Sequence, residues 1–351
     1  MSFFKGKKLT VEIFGASHDE NIGVIIDGLP PVKTDQAALK AFMERRRAKD
    51  GVYSTARREP DEPVFFGVED GVTGKRVKAV IKNKDVLSAD YGNLYGKPRP
   101  GHADFASFLK DGTLDFRGGG RFSGRMTAPL CVAGGILKQY LESRGVYIRA
   151  YVSEIGAVKA RSYLDKGFDA EEAFSIKDGA FPSIDKSEEM LSSIREARSV
   201  GDSVGGVIEC VVKGFPAGVG DCLFDGLEGK ISSLVFAVPA VKGVEFGLGF
   251  LNAKMLGSQT NDQMEMENGA VKFLSNGAGG INGGISNGNT ILLRAAIKPT
   301  PSIIKEQKTI DLVRKESCVI SVSGRHDACI VPRAVPAIEA AVAIALADEI
   351  I

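Results

Sequence analysis

An α+β fold is predicted for this chain of 351 residues from three observations. Apolar and polar residues alternate over short strand-length segments, helix-length stretches lie among them, and the two kinds follow one another without the steady β-α-β rhythm of a doubly wound parallel sheet. Hydrophobic residues make up 44% and charged residues 25%, enough apolar material for a large core and unlike disordered or fibrous chains. No Pro/Ser/Gly linker breaks the patterning for long, so one domain over residues 1–351 is expected.

Residues 8–14 (KLTVEIF) and 22–28 alternate as strands, which makes Gly15 to Asn21 (GASHDEN) their connecting loop. Thr34 or Asp35 can cap a helix through QAALKAFMERRR, whose last turn carries Arg45, Arg46 and Arg47. Cations there suit the helix dipole, so a solvated end and an anion-binding end are both open readings. Residues 64–68 and 76–82 predict a hairpin about EDGVTG. Residues 86–101 form a long irregular segment ending in RPGH, and long loops within compact domains are usually functional or mobile.

A small-residue helix is expected over Thr127–Ser143, buried on more than one side because Ala and Gly permit close packing. Strands follow in VYIRAYVSEIG and SVGGVIECVVKG, with a helix in SEEMLSSIREA between them and another over residues 226–237. From Ala334 a mostly apolar helix predicts deep packing or a subunit interface.

The five cysteines are odd in number and show no C-x-x-C or metal-like spacing with histidine, so neither a disulfide framework nor a metal site is expected. No apolar run approaches the roughly 20 residues of a membrane span, and the N-terminus lacks the apolar core of a signal peptide. A soluble cytoplasmic protein is expected. The net charge of +1 gives no reason to propose nucleic acid or membrane as partner. Between Lys40 and Arg125, however, 18 Lys/Arg face 12 Asp/Glu, a local +6 that suits a small anionic ligand.

Glycine reaches 42 residues and clusters in FRGGGRFSGR (116–125) and NGAGGINGGISNGN (276–289). Neither has the Walker or Rossmann spacing. In the first, Arg117, Arg121 and Arg125 are interleaved with the glycines just before a helix start, which favours an anion site. The second carries no charge, and turn chemistry explains it unless it faces a ligand. The three histidines, His18, His102 and His326, all lie in Gly-containing aperiodic stretches next to Ser or Asp. One such histidine is ordinarily structural. Three beside an anion-binding region suggest acid catalysis, since imidazole titrates near neutrality. Ser17 as a nucleophile lacks the G-x-S-x-G context.

Seven separated motifs now stand in order: GASH18, RRR47 to RREPD61, RPGH102ADF, FRGGGRFSGR125, NGAGGINGGISNG, IKPTPSI and SGRH326DACIVPRAVP. With these the chain resembles the chorismate synthases from its first strand to its last helix. The resemblance implies a β-α-β sandwich, with helices between two mainly antiparallel sheets, assembled as a homotetramer. It implies loss of phosphate and a ring proton from 5-enolpyruvylshikimate 3-phosphate to give chorismate, an anti-1,4-elimination that requires reduced FMN (FMNH2) without net redox change. By the same resemblance His18 protonates the departing phosphate, His102 protonates or stabilises the reduced flavin, and Asp327 handles the proton near flavin N5. Flavin contacts are implied for Arg121, Ser123, Pro239, Ala240, Gly283, Lys298 to Ser302, and Arg325, and substrate contacts for Arg46, Arg47, Arg57 and Arg125. The chain departs from the commoner pattern in GASHD for GESHG and at Val52, Phe122, Met126 and Ala328. At Val52 the family often has an arginine tied to nucleotide or substrate contact. Flavin reduction is therefore expected either from NADPH on this chain or from a separate flavin reductase.

Overall fold

The computed structural model describes residues 2–47, 59–84, 94–114, 116, 118–322 and 327–351. Val52, Arg57, Arg117, Arg325, His326 and residues 86–93 of the irregular segment lie outside the described residues.

Alternation builds the first sheet. In β5 (Val72–Lys82) the side chains of Val77, Ala79 and Ile81 point into the core while Lys78 and Lys82 face out, the period-2 pattern read from the sequence. It lies between β3 (Asn21–Asp27) and β4 (Pro63–Glu69), and with β1 (Ser2–Lys5) and β2 (Thr10–Phe14) gives the antiparallel order β1-β2-β3-β5-β4. β1 has no counterpart in the sequence reading. It is an exposed edge strand, and with little burial it leaves no hydrophobic period to read.

The second sheet takes β6 (Tyr147–Ile155), β7 (Val158–Lys159), β8 (Gly206–Lys213) and β9 (Val241–Phe246). Two short hairpins follow, β10–β11 (Met264–Glu267, Ala270–Phe273) and β12–β13 (Ile281–Asn282, Ile285–Ser286), before β14 (Ile291–Ile297) completes the antiparallel order β7-β6-β8-β14-β9. A last hairpin, β15–β16 (Gln307–Asp311, Glu316–Ile320), stands outside both sheets.

Helices fill the space between the sheets. Asp35, one of the two caps expected, accepts from the Ala37 and Ala38 amides at 2.8 and 3.1 Å and starts α1 (Gln36–Arg46). After α2 (Asp104–Asp111), α3 (Thr127–Glu142) packs against β3 and β5 on one side and the C-terminal helix on the other. A Cβ on Gly134 would lie 2.3 Å from the Ala340 Cα, so the small-residue character of α3 is what lets the two helices approach. The short α4 (Ala170–Phe174) and α5 (Ser187–Ser199) pack outside on β6, and α6 (Leu227–Phe236) and the exposed turn α7 (Gly257–Thr260) precede α8 (Val331–Ile350). α8 starts three residues before the expected Ala334, because Pro332 falls in the first turn, where its missing N–H has no helical partner to lose. Of the two readings for this helix, the structure shows deep packing: it crosses β6 and β8 and is buried along nearly its whole length. The arrangement is two antiparallel sheets with α1, α3, α6 and α8 between them, as expected.

Inside that layer Glu339 of α8, 0% exposed, is held by a two-point ion pair from Arg45 at 2.6 and 2.9 Å and by the Ala150 amide at 2.9 Å. Burial pushes its carboxyl up, but Arg45 outweighs this and holds it below the usual carboxylate range. Asp348 likewise accepts the Lys7, Lys8 and Leu9 amides at 2.7 to 2.8 Å, fastening the start of the first sheet to the end of α8. All five cysteines are free; Cys131, Cys210 and Cys329 are buried, whereas Cys222 is exposed. Among the described residues no helix is long and apolar enough to cross a membrane, and no His/Cys/Asp/Glu group could hold a metal ion.

Candidate active site

The β2–β3 connection puts His18 directly over the first glycine cluster. Ser17 N–H donates to the Gly120 carbonyl at 3.2 Å, and Ser17 Oγ lies 2.9 Å from His18 Nδ1. Gly118 has φ +59°, and a Cβ built on it would sit 2.0 Å from His18 Cε1 and 2.6 Å from Nδ1. Only glycine fits there, on conformational and steric grounds together. Gly118→Ala is expected to displace the His18 ring and lower turnover by roughly 10²-fold. Gly145→Ala, with φ +78° but no atom within 4 Å of the new Cβ, is the control that carries the backbone strain alone. Equal turnover in the two variants would remove the steric role of Gly118.

The RPGHAD loop reaches the same glycine through Arg99, which donates to its carbonyl. Arg99, 4% exposed, donates from Nε and Nη2 to the two oxygens of Asp104 at 2.7 and 2.9 Å, from Nη2 also to the Gly118 carbonyl and to the Phe116 carbonyl at 3.3 Å, and from Nη1 to Ser302 Oγ at 3.3 Å. His102 Nδ1 lies 2.5 Å from Asp104 Oδ1 and 3.2 Å from Arg99 Nη2. One nitrogen cannot donate to the carboxylate and accept from the guanidinium at once. The shorter contact decides for donation to Asp104, which leaves Nε2 as the nitrogen for proton transfer. Burial pushes the Asp104 carboxyl up, but the hydrogen bonds from Arg99 and His102 outweigh this and hold it at about 2, so it stays ionised and keeps the ring oriented. The two imidazoles thus flank one stretch of backbone, with Gly118 against His18 and Arg99 joining Gly118 to His102.

The arginines form a second cluster beside it. Arg46, 3% exposed, and Arg125, 7% exposed, share Asp61 between them, and Arg125 Nε donates to Asn83 Oδ1 at 2.9 Å. Asn83 Nδ2 in turn donates to the Asp19 carbonyl at 2.6 Å, which ties the His18 loop to Arg125. Burial raises the Asp61 carboxyl, yet Arg46 and Arg125 hold it below the usual range. The solvated reading of the RRR helix end therefore fails for Arg45 and Arg46, whose charges turn inward; Arg47 is half-buried and donates to the Glu59 carbonyl at 3.1 Å. Asp61, with Glu59 3.9 Å from Arg125 Nη2, places negative charge directly against the two buried guanidiniums. Arg46 Nε and Arg125 Nη2 remain buried without a hydrogen-bond partner among the described residues.

Several further sequence-chosen residues join this region. Lys298 Nζ donates to the Gly101 carbonyl, and its N–H donates to the Ala240 carbonyl at 3.0 Å, which brings the Pro239–Ala240 turn and the IKPTPSI stretch against RPGH. Burial, with Lys242 nearby, lowers the Lys298 ammonium pKa. Ser123 accepts the Arg125 amide at 3.2 Å and shapes the turn before α3. Asp327 is fixed at the start of α8 by Arg333, whose Nη1 donates to Oδ2 at 2.7 Å. Arg121 is exposed and paired with Asp111 on α2, its guanidinium 5.1 Å from the Phe122 ring centroid. Gly283 stands apart, in the β12–β13 turn against the 220–226 segment. There Gly279, Gly280 and Gly284 have positive φ and close backbone neighbours, as turn chemistry requires. No pattern in the sequence assigns a role to Arg99, Asp104, Asp61, Asn83 or Arg333. Only the proline and glycine around Arg99 hinted that its loop was held for a purpose.

The family profile described as chorismate synthase matches residues 9–351. The chain is 41% identical over 351 residues to the chorismate synthase of Thermococcus kodakarensis, covering 99% of this chain and 97% of that protein. To that of Archaeoglobus fulgidus it is 44% identical over 347 residues, covering 98% and 95%. A crystal structure of chorismate synthase superposes with a TM-score of 0.76 at 26% identity, covering 98% of this chain and 92% of that one. Sequence match along the whole chain and the shared two-sheet fold agree: this chain belongs to the chorismate synthase family and is an enzyme with that function.

Proposed function

We propose that the chain acts as a single-domain carbon–oxygen lyase that eliminates phosphate and a ring proton from 5-enolpyruvylshikimate 3-phosphate, and that it does so with reduced FMN. The observation that carries this reading is the convergence of His18 and His102 on Gly118 and Arg99. Bound reduced FMN would supply an electron-rich ring beside the substrate with no net redox change.

The donor set fits such phosphate-bearing groups. Arg46 Nε and Arg125 Nη2 are buried donors with hydrogen-bonding capacity to spare among the described residues, and a Cβ on Gly120 or Gly124 would meet open space. Arg46, Arg47 and Arg125 would hold the substrate's phosphate and carboxylates, and Arg121, Ser123, Pro239, Ala240, Gly283, Lys298 and Ser302 would hold the flavin; Arg57 and Arg325, outside the described residues, are assigned to substrate and flavin respectively by the family resemblance alone. His18 gives a proton to the leaving phosphate. His102, its Nδ1–H directed at the ionised Asp104, would leave Nε2 free to serve a bound flavin. Asp327 would hold a proton beside that group.

A homotetramer is proposed because several large apolar side chains are left bare: Phe224 is 97% exposed, Phe250 80% and Leu256 70%, and the β10–β11 hairpin shows Met264 and Met266 to solvent. The five free thiols suit a reducing compartment, and we place the protein in the cytoplasm.

In an anaerobic assay, reduced FMN should support phosphate release from the enolpyruvyl substrate and oxidised FMN should not. Adding NADPH with and without a separate flavin reductase then tells which of them reduces the flavin. Turnover indifferent to flavin redox state would overturn the proposal, and flavin binding without phosphate release would mark a pocket that has lost the chemistry.

A further inference from the structure

We infer that Arg333 is a positioning residue that fixes the Asp327 carboxylate against the end of α1. The inference rests on the role proposed for Asp327 and deepens it. Arg333 sends two donors to two separate segments: Nη1 to Asp327 Oδ2 at 2.7 Å and Nε to the Arg46 carbonyl at 3.2 Å. Because a guanidinium is planar and rigid, those two bonds set the angle between Asp327 and the last turn of α1. The Arg46 carbonyl is among the last of its helix, without an intrahelical partner, and a cation there completes it. The side chain of the same Arg46 reaches Asp61 and through it Arg125. Arg333 therefore joins the Asp327 segment to the arginine cluster.

Local structure alone gives no reason for arginine at this position. Arg333 is the sole basic residue in α8 and lies in its first turn, where a cation opposes the helix dipole. The pair is largely shielded, with side-chain exposures of 21% for Arg333 and 13% for Asp327, so it is not a solvated surface contact. Lysine could not reproduce it, since a single ammonium on a flexible stem does not fix two acceptors at a set angle.

The test is a double-mutant cycle of Arg333→Gln with Asp327→Asn, read by phosphate release with reduced FMN and by hydrogen exchange of the cofactor-free protein. Arg333→Gln is expected to lower kcat roughly 10–100-fold with little change in KM, and to cost little further in the Asp327→Asn background. In the cofactor-free protein the amides at residues 44–47 should exchange roughly tenfold faster, while α3 is unchanged. Arg333→Lys, which keeps charge and bulk, should recover folding but little of kcat, and it serves in the cycle if the glutamine variant does not fold. Multiplying losses in the double variant, or normal turnover in Arg333→Gln when Asp327→Asn is impaired, would overturn the positioning role. Normal turnover in Asp327→Asn would overturn the role of Asp327, and the inference with it.

Discussion

Replacing Arg99 with alanine is expected to destabilise the protein by roughly 3–5 kcal/mol, because it breaks a buried ion pair and leaves the partner charge behind. Arg99 is 4% exposed and Asp104 5% exposed, so water does not replace the lost donors. Both Asp104 oxygens lose a bond, as do the Phe116 and Gly118 carbonyls and Ser302 Oγ. Turnover should fall with stability, since Asp104 orients His102 and Gly118 abuts His18.

The pH dependence has a definite sign. The Asp104 carboxyl is lowered from near 4 to about 2 in the folded protein, first against burial and then by Arg99 and His102. Its contribution is therefore complete above about pH 4 and is lost as pH falls towards 2. Urea denaturation at pH 7 and pH 3 should show the gap between wild type and Arg99→Ala narrowing at the lower pH. An unchanged midpoint at pH 7 would show that the Arg99 bonds contribute nothing net.

His18→Ala and His102→Ala are each expected to lower turnover by roughly 10²–10⁴-fold, the range for loss of a general acid. The folded protein should tolerate both, because each ring is at the edge of the core and neither belongs to a strand or helix ladder. Asp104→Asn keeps the His102 ring but replaces the charged acceptor, and should fall between wild type and His102→Ala. Near-normal phosphate release in both histidine variants would remove the proton-donor roles. A loss confined to one would assign the acid to that loop alone.

The α+β class, the two strands and loop around His18, the close-packed α3 and the motifs that mark the family can all be read from the order of residues. These were legible because period-2 and small-residue patterns are local records of which face is buried. The sequence also picked out most residues that the structure gathers: the two histidines, Arg46, Arg125, Lys298, Ser302 and Asp327. How they are held depends on contacts between distant parts of the folded chain. Arg99 and Ser302 are 203 positions apart, and no local window contains their bond. The same is true of Asp61, which pairs with Arg46 and Arg125 from separate parts of the chain, and of Arg333, whose two acceptors lie in distant segments. Exposed β1 and β10–β11 escaped the sequence reading for the converse reason: where no face is buried in the chain, no period is written. Burial against a neighbour is recorded locally, residue by residue, but an ion pair is a relation between two distant places in the chain. Folding alone brings the two together.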